Sequence, residues 1–283
     1  MIKYKLGKLP KKEDKRNLPF GKYLKSDIAP APLTADYSYG LKNWGMMLND
    51  SIGDCTIAAA GHEIESWTQG KEIVPDSIIQ KVYSDISGYD PSNGNNDNGC
   101  CELDVLNYWN KKEINGDKIG AFSEIDLTKP DQIKQGLYLF NGLYIGIQCP
   151  DSAQKQFENN EVWTVVPGAT IEGGHAIILV GFDEKYFYGV SWGSLITIDP
   201  EFITTYMDEA YAIIDKDYLT GDKTAEGFDI ETLVADIKAI SDGTYNIDPN
   251  IINPQPLPTP TPGPVPQPKK LTWWQKIWKW LFN

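Results

Sequence analysis

The run Asn49-Asp50-Ser51-Ile52-Gly53-Asp54-Cys55-Thr56 sets a cysteine at the start of an expected helix. Unpaired backbone N–H groups and the positive end of a helix dipole favour a thiolate there, while Asp54 next door opposes that effect. A thiolate nucleophile needs a proton partner, usually a remote histidine brought close by the fold. The chain has two histidines, His62 and His175. On a helix His62 would lie on the same side as Cys55 but about 10.5 Å along, too far for direct proton transfer, which makes it a core or hydrogen-bonding residue. His175 follows Gly173-Gly174 and opens the apolar run Ala176 to Val180. Taken alone, a helix-start cysteine is more often a small buried hydrophobe, and a single histidine before a strand is usually a packing residue.

The elements that must position these residues are legible in outline. Helices are expected over 54–70, 75–86 and 102–112, and strands over 143–147, 176–180 and 186–190. Helices first and strands second, without alternation, predict an α+β domain of two subregions. A further amphipathic helix is expected near 226–240.

Gly53-Asp54-Cys55 opening a helix, then Gly174-His175-Ala176 running to Asp183, then Val190-Ser191-Trp192-Gly193, resembles the papain-like cysteine peptidases over residues 36–216. The run from Asn49 to Cys55 and the Asp208-to-Tyr211 ending look most like bacteriophage-encoded members. The resemblance implies a helical left lobe and an antiparallel β-rich right lobe. It makes Cys55 the nucleophile, His175 its general base and later acid, and Asn49 the oxyanion donor where family members carry glutamine. The family's asparagine before Ser-Trp-Gly, which orients the histidine ring, is replaced by Val190. Ser191, in a suitable strand register, or the more distant Asp183 would have to orient the ring. Gly99 and Cys100, after the Gly/Asn/Asp loop, would form one wall of the substrate groove, with Gly174 and Trp192 also lining the cleft. The implied substrate is a peptide or protein, and no cofactor is implied. Neither a calcium loop nor a zinc site has its required spacing.

In the chain of 283 residues, 41% are hydrophobic and 23% charged, enough to bury a core. The net charge of −13 argues against nucleic-acid binding through a basic body. The charge is uneven: nine Lys or Arg against two acids in residues 1–26 give a basic, extended arm over 1–35. That arm is short for an inhibitory pro-region, and it is expected to be solvated or folded back on the acidic body. The main domain is expected over 36–246, its helical part about 36–120, its β-rich part about 121–220 and a trailing helix about 225–242.

Nine of the nineteen prolines fall between Pro249 and Pro268, making 247–268 an extended spacer. Beyond it, residues 269–283 hold four of the nine tryptophans and read as an amphipathic helix. Its apolar side carries Trp273, Trp274, Ile277, Trp278 and Leu281. At about 20 Å it is too short to cross a bilayer, so it would lie in a membrane surface, fill a partner's hydrophobic groove or fold back onto the body. With no signal peptide or spanning helix visible, the expected setting is host cytoplasm or phage virion, peripheral to a membrane at most. The leading expectation is a tethered cysteine peptidase; the alternative is a catalytically weak or inactive papain-like scaffold serving a phage as a structural or binding protein.

Overall fold

Period-two alternation along the strands sends neighbouring residues into two different cores. In the strand Ile171–Phe182, Ile177 and Leu179 join one hydrophobic cluster while Ala176, Ile178 and Val180 join the other. The computed structural model describes residues 4–221 and 223–241. The expected spacer and Trp-rich helix therefore lie outside the described residues, as does the end of the trailing helix.

Seven strands form one antiparallel sheet: β1 (Ala35–Asp36), β2 (Ile119–Glu124), β3 (Leu143–Pro150), β4 (Ile171–Phe182), β5 (Phe187–Ser191), β6 (Ser194–Ile198) and β7 (Met207–Asp215). Their order is β2-β7-β3-β4-β5-β6, with β1 pairing onto the end of β4. The helices are α1 (Cys55–Trp67), α2 (Asp76–Ser87), α3 (Glu102–Lys111), α4 (Pro130–Phe140), α5 (Asp151–Glu158), α6 (Pro200–Tyr206), α7 (Lys216–Thr220) and α8 (Ile230–Ser241). α1 and α3 cover one sheet face and α2 packs on those two helices, through Ile57, Ile64, Ile79, Val82 and Val105. The other face packs on Leu137 and Phe140 of α4 together with Leu18, Phe20 and Tyr23 of the N-terminal segment.

The expected α+β architecture of two subregions holds, with differences of detail. α1 ends at Trp67, because Gln69 and Gly70 both turn left-handed. The β-rich part carries four helices, α4 to α7, as well as strands. Proline opens α4 and α6 at the first helical position, where its missing N–H costs nothing.

Candidate active site

α1 begins at Cys55 and lies against β4, whose residue His175 is buried at the same junction. The backbone N–H groups of Ala176 and Gly7 lie close enough to the Cys55 sulfur to favour its ionised form. That places the thiol beside the residue following His175. His175 Nε2 lies 2.8 Å from Ser191 Oγ, while Nδ1 is buried without a hydrogen-bond partner. Trp192 covers the ring, stacked at 4.6 Å and 20°.

A two-residue turn explains that cover. Ser191 pairs with Ser194 across the β5–β6 hairpin, leaving Trp192 (φ 45°) and Gly193 (φ 73°) as the turn. Left-handed values at both central positions match the twist of the flanking strands. Alternation along β5 also separates the neighbours of this hairpin: Val190 enters the helix-side core, and Ser191 faces His175. Asp183 is at the β4–β5 connection, accepting from Lys185 N, Tyr186 N and Tyr188 Oη. Of the two orienting candidates, Ser191 is the one at the ring.

Asn49 Nδ2 donates to Ile52 O at 3.4 Å and to Asp54 Oδ1 at 3.2 Å, and its own carbonyl accepts from Lys5 N. His62 Nε2 lies 3.0 Å from Gly45 O within the core.

The cleft is occupied by the chain itself. Residues 4–10 run through it as an extended strap. Lys8 N donates to Gly174 O (3.0 Å), Leu9 N to Cys100 O (2.9 Å), and Cys100 N to Gly7 O (2.9 Å). The strap is thus antiparallel to one wall and parallel to the other. Its upstream end is held by Tyr4, stacked on Trp192 at 4.9 Å, and by Trp192 Nε1 donating to Lys5 O. Glycines permit the close approach. A Cβ at Gly7 would lie 1.8 Å from Gly53 O, and one at Gly99, itself at φ 81°, would lie 1.9 Å from Gly7 O. Every cleft residue read from the sequence (Gly99, Cys100, Gly174 and Trp192) therefore meets the strap.

Covered in this way, Cys55 and His175 are each only 1% exposed. Burial pushes the Cys55 thiol up to about 12 and the His175 imidazole down to about 3, so both are neutral at ordinary pH. The Gly7 carbonyl is turned to the Cys100 wall, which makes the strap an occluding segment at this bond rather than a substrate carbonyl presented to the thiol.

Two solved structures share this arrangement of helices and sheet. Xylellain, a cysteine protease from Xylella fastidiosa, matches with a TM-score of 0.59 at 18% identity, covering 76% of this chain and 98% of its own. Digestive procathepsin L 3 from the larval midgut of Tenebrio molitor matches with a TM-score of 0.50 at 10% identity, covering 72% and 75%. The fold is papain-like. No protein-family model and no curated protein matches the sequence. Among the described residues, no helix is long and apolar enough to cross a membrane.

Sequence reasoning missed three features of this papain-like cleft: the strap, the acids Glu102 and Glu209 beneath it, and Gly146. One signal was available for Glu209. Asp208-Glu209 follows the first residue of a strand that is then uncharged up to its closing Asp215, and alternation sends one of two adjacent acids inward.

Proposed function

We propose that the chain is a cysteine peptidase of papain-like fold, held latent by its own residues 4–10. One observation carries this reading. The cleft between Cys100 and Gly174 binds an extended peptide segment through its backbone, directly over Cys55. Backbone pairing on both walls is how a site accommodates a polypeptide of varied sequence.

With the strap displaced, water returns to the cleft and the burial that keeps both groups neutral is relieved. In the tautomer whose Nε2–H donates to Ser191 Oγ, Nδ1 keeps a lone pair for the thiol proton. The thiolate attacks the substrate carbonyl carbon, forming a C–S bond and an oxyanion. The N–H groups at the start of α1 are available to that oxyanion, and Asn49 joins them on turning from Asp54. Collapse breaks the C–N bond while His175 gives its proton to the leaving amine. Water, deprotonated by His175, then cleaves the thioester and releases the acid.

A second reading, a binding or structural scaffold, is favoured by Asn49, whose amide is already bonded to Asp54 and Ile52. An epoxide or iodoacetamide probe read by mass spectrometry separates the two. A peptidase labels at Cys55 ahead of Cys100, Cys101 and Cys149 once the strap is loosened by Lys8→Ala, and His175→Ala slows that labelling. Equal labelling of all four thiols supports the scaffold.

The Asn49–Cys55 and Asp208–Tyr211 runs support a phage-encoded protein, in host cytoplasm or virion. The Trp-rich segment 269–283 is proposed as a tether to a membrane surface or to a hydrophobic groove on a partner.

A further inference from the structure

Lys8 reaches a place where a lysine is rarely found. Its side chain is 0% exposed, with Nζ 2.8 Å from Glu209 Oε1 and 2.9 Å from Asp208 Oδ1. Burial opposes its charge, and Glu102, Glu209 and Asp208 overcome that opposition and hold the ammonium above its usual range. Glu102, the first residue of α3, is fully buried, and neither of its carboxyl oxygens has a hydrogen-bond partner. It acts on the same ammonium. Glu209 is held from the far side by Tyr211 Oη at 3.0 Å, and Asp208 by Gln148 Nε2.

The space for the lysine stem is also built in. A Cβ at Gly146 on β3 would lie 2.0 Å from Lys8 Cε and 2.8 Å from Glu209 Cγ, so a side chain there would close the pocket. One structural ion pair needs one acid. Here two carboxyls from β7 grip a single cation brought in by a seven-residue strap, and a third, on α3, acts on its charge while its own oxygens remain unpartnered. Uncompensated buried carboxylates are costly, so the vacated pocket favours whatever cation can enter it. The backbone beside that side chain is the one bonded to Gly174 and Cys100 at the edge of the nucleophile.

We propose that Glu102, Asp208 and Glu209 form a specificity pocket for a lysine or arginine side chain of the substrate, and that Lys8 fills it in the resting protein. The proposal rests on the peptidase reading for its substrate, but its binding half can be tested without turnover. The first assay uses the full-length Lys8→Ala, Cys55→Ala chain and fluorescein-labelled peptides with the sequence of residues 4–10, carrying lysine, norleucine or glutamate at the position of Lys8. The lysine peptide is expected to bind roughly tenfold to a hundredfold more tightly than the norleucine peptide, the range of a buried charge-assisted hydrogen bond. Glu209→Gln should shrink that ratio, and Asp208→Asn, at a partly exposed site, should move it the same way. Equal binding of the lysine and norleucine peptides, or a ratio untouched by both substitutions, overturns the pocket. The second assay follows hydrolysis of matched peptides by full-length Lys8→Ala. Turnover without basic preference leaves the peptidase and overturns the pocket. Lysine-selective binding without turnover upholds the pocket as a binding site and overturns the peptidase.

Discussion

The Lys8 ammonium lies 2.8 Å from the Glu209 carboxylate, and neither side chain reaches solvent. The two residues are 201 positions apart in sequence, and their pairing fixes the strap across the cleft. A buried pair of this kind contributes less as a net attraction than it costs when one partner is removed. The strap is therefore hard to loosen by small adjustments and easy to loosen by changing Lys8.

Replacing Lys8 by methionine keeps the stem and removes the charge. Burial already raises Glu209 and Glu102 above their usual range, so both can protonate and limit the penalty. We expect about 2 kcal/mol of lost closure, roughly thirtyfold in the open population. Iodoacetamide should then modify Cys55 about thirtyfold faster than in the parent, with Cys149, buried elsewhere, as the internal reference.

In the proposed mechanism Ser191 acts through His175, whose Nε2 lies 2.8 Å from its hydroxyl. In a chain opened by Lys8→Met, Ser191→Ala should lower kcat roughly tenfold, the scale of one net hydrogen bond to a charged group. The acidic limb of the pH–rate profile should shift as well, because the imidazolium loses its acceptor. An unchanged profile would assign Ser191 to packing alone.

The closed cleft predicts a pH effect with a definite sign. Closed, His175 sits near 3; open, its ordinary value is 6.5. Below 6.5 the open form takes up a proton that the closed form excludes, so closure is fully favoured above 6.5 and weakens as pH falls toward 3. Protonation of Glu209 acts in the same direction by releasing Lys8. Imidazole NMR signals of the parent should stay in the neutral position at pH 5.5, whereas in the Lys8→Met chain the His175 signal moves and that of His62 does not.

The expected tail makes a separate prediction. Full-length protein should co-sediment with anionic liposomes, and a Trp274→Ala, Trp278→Ala double substitution should abolish most of that binding. Equal sedimentation of both would reject a membrane tether and leave the partner groove.

Local rules made much of the site legible. Gly53-Asp54-Cys55 announced the start of α1, and Gly174-His175 announced β4, because turn residues and apolar runs are properties of neighbours in sequence. Ser191 was legible as a ring partner only on condition of the strand register, which the β5–β6 hairpin sets through Trp192 and Gly193. The strap was not legible. Tyr4, Leu6 and Leu9 spaced among lysines look like a solvated arm, and the partners of Lys8 and Leu9, namely Gly174, Cys100 and Glu209, lie 91 to 201 positions away. Such contacts depend on the closed fold, and no periodicity in the arm encodes them. The arm is short for an inhibitory pro-region, yet glycines at 7, 53 and 99 let seven residues seat deeply.

Peptide hydrolysis by the full-length Gly7→Ala chain decides whether residues 4–10 hold a competent peptidase latent. The added methyl collides with Gly53 O and alters no groove residue. The expected result is turnover that the parent lacks and that Cys55→Ala abolishes in the same background. A Gly7→Ala chain whose Cys55 becomes freely alkylated yet cleaves no peptide would contradict it.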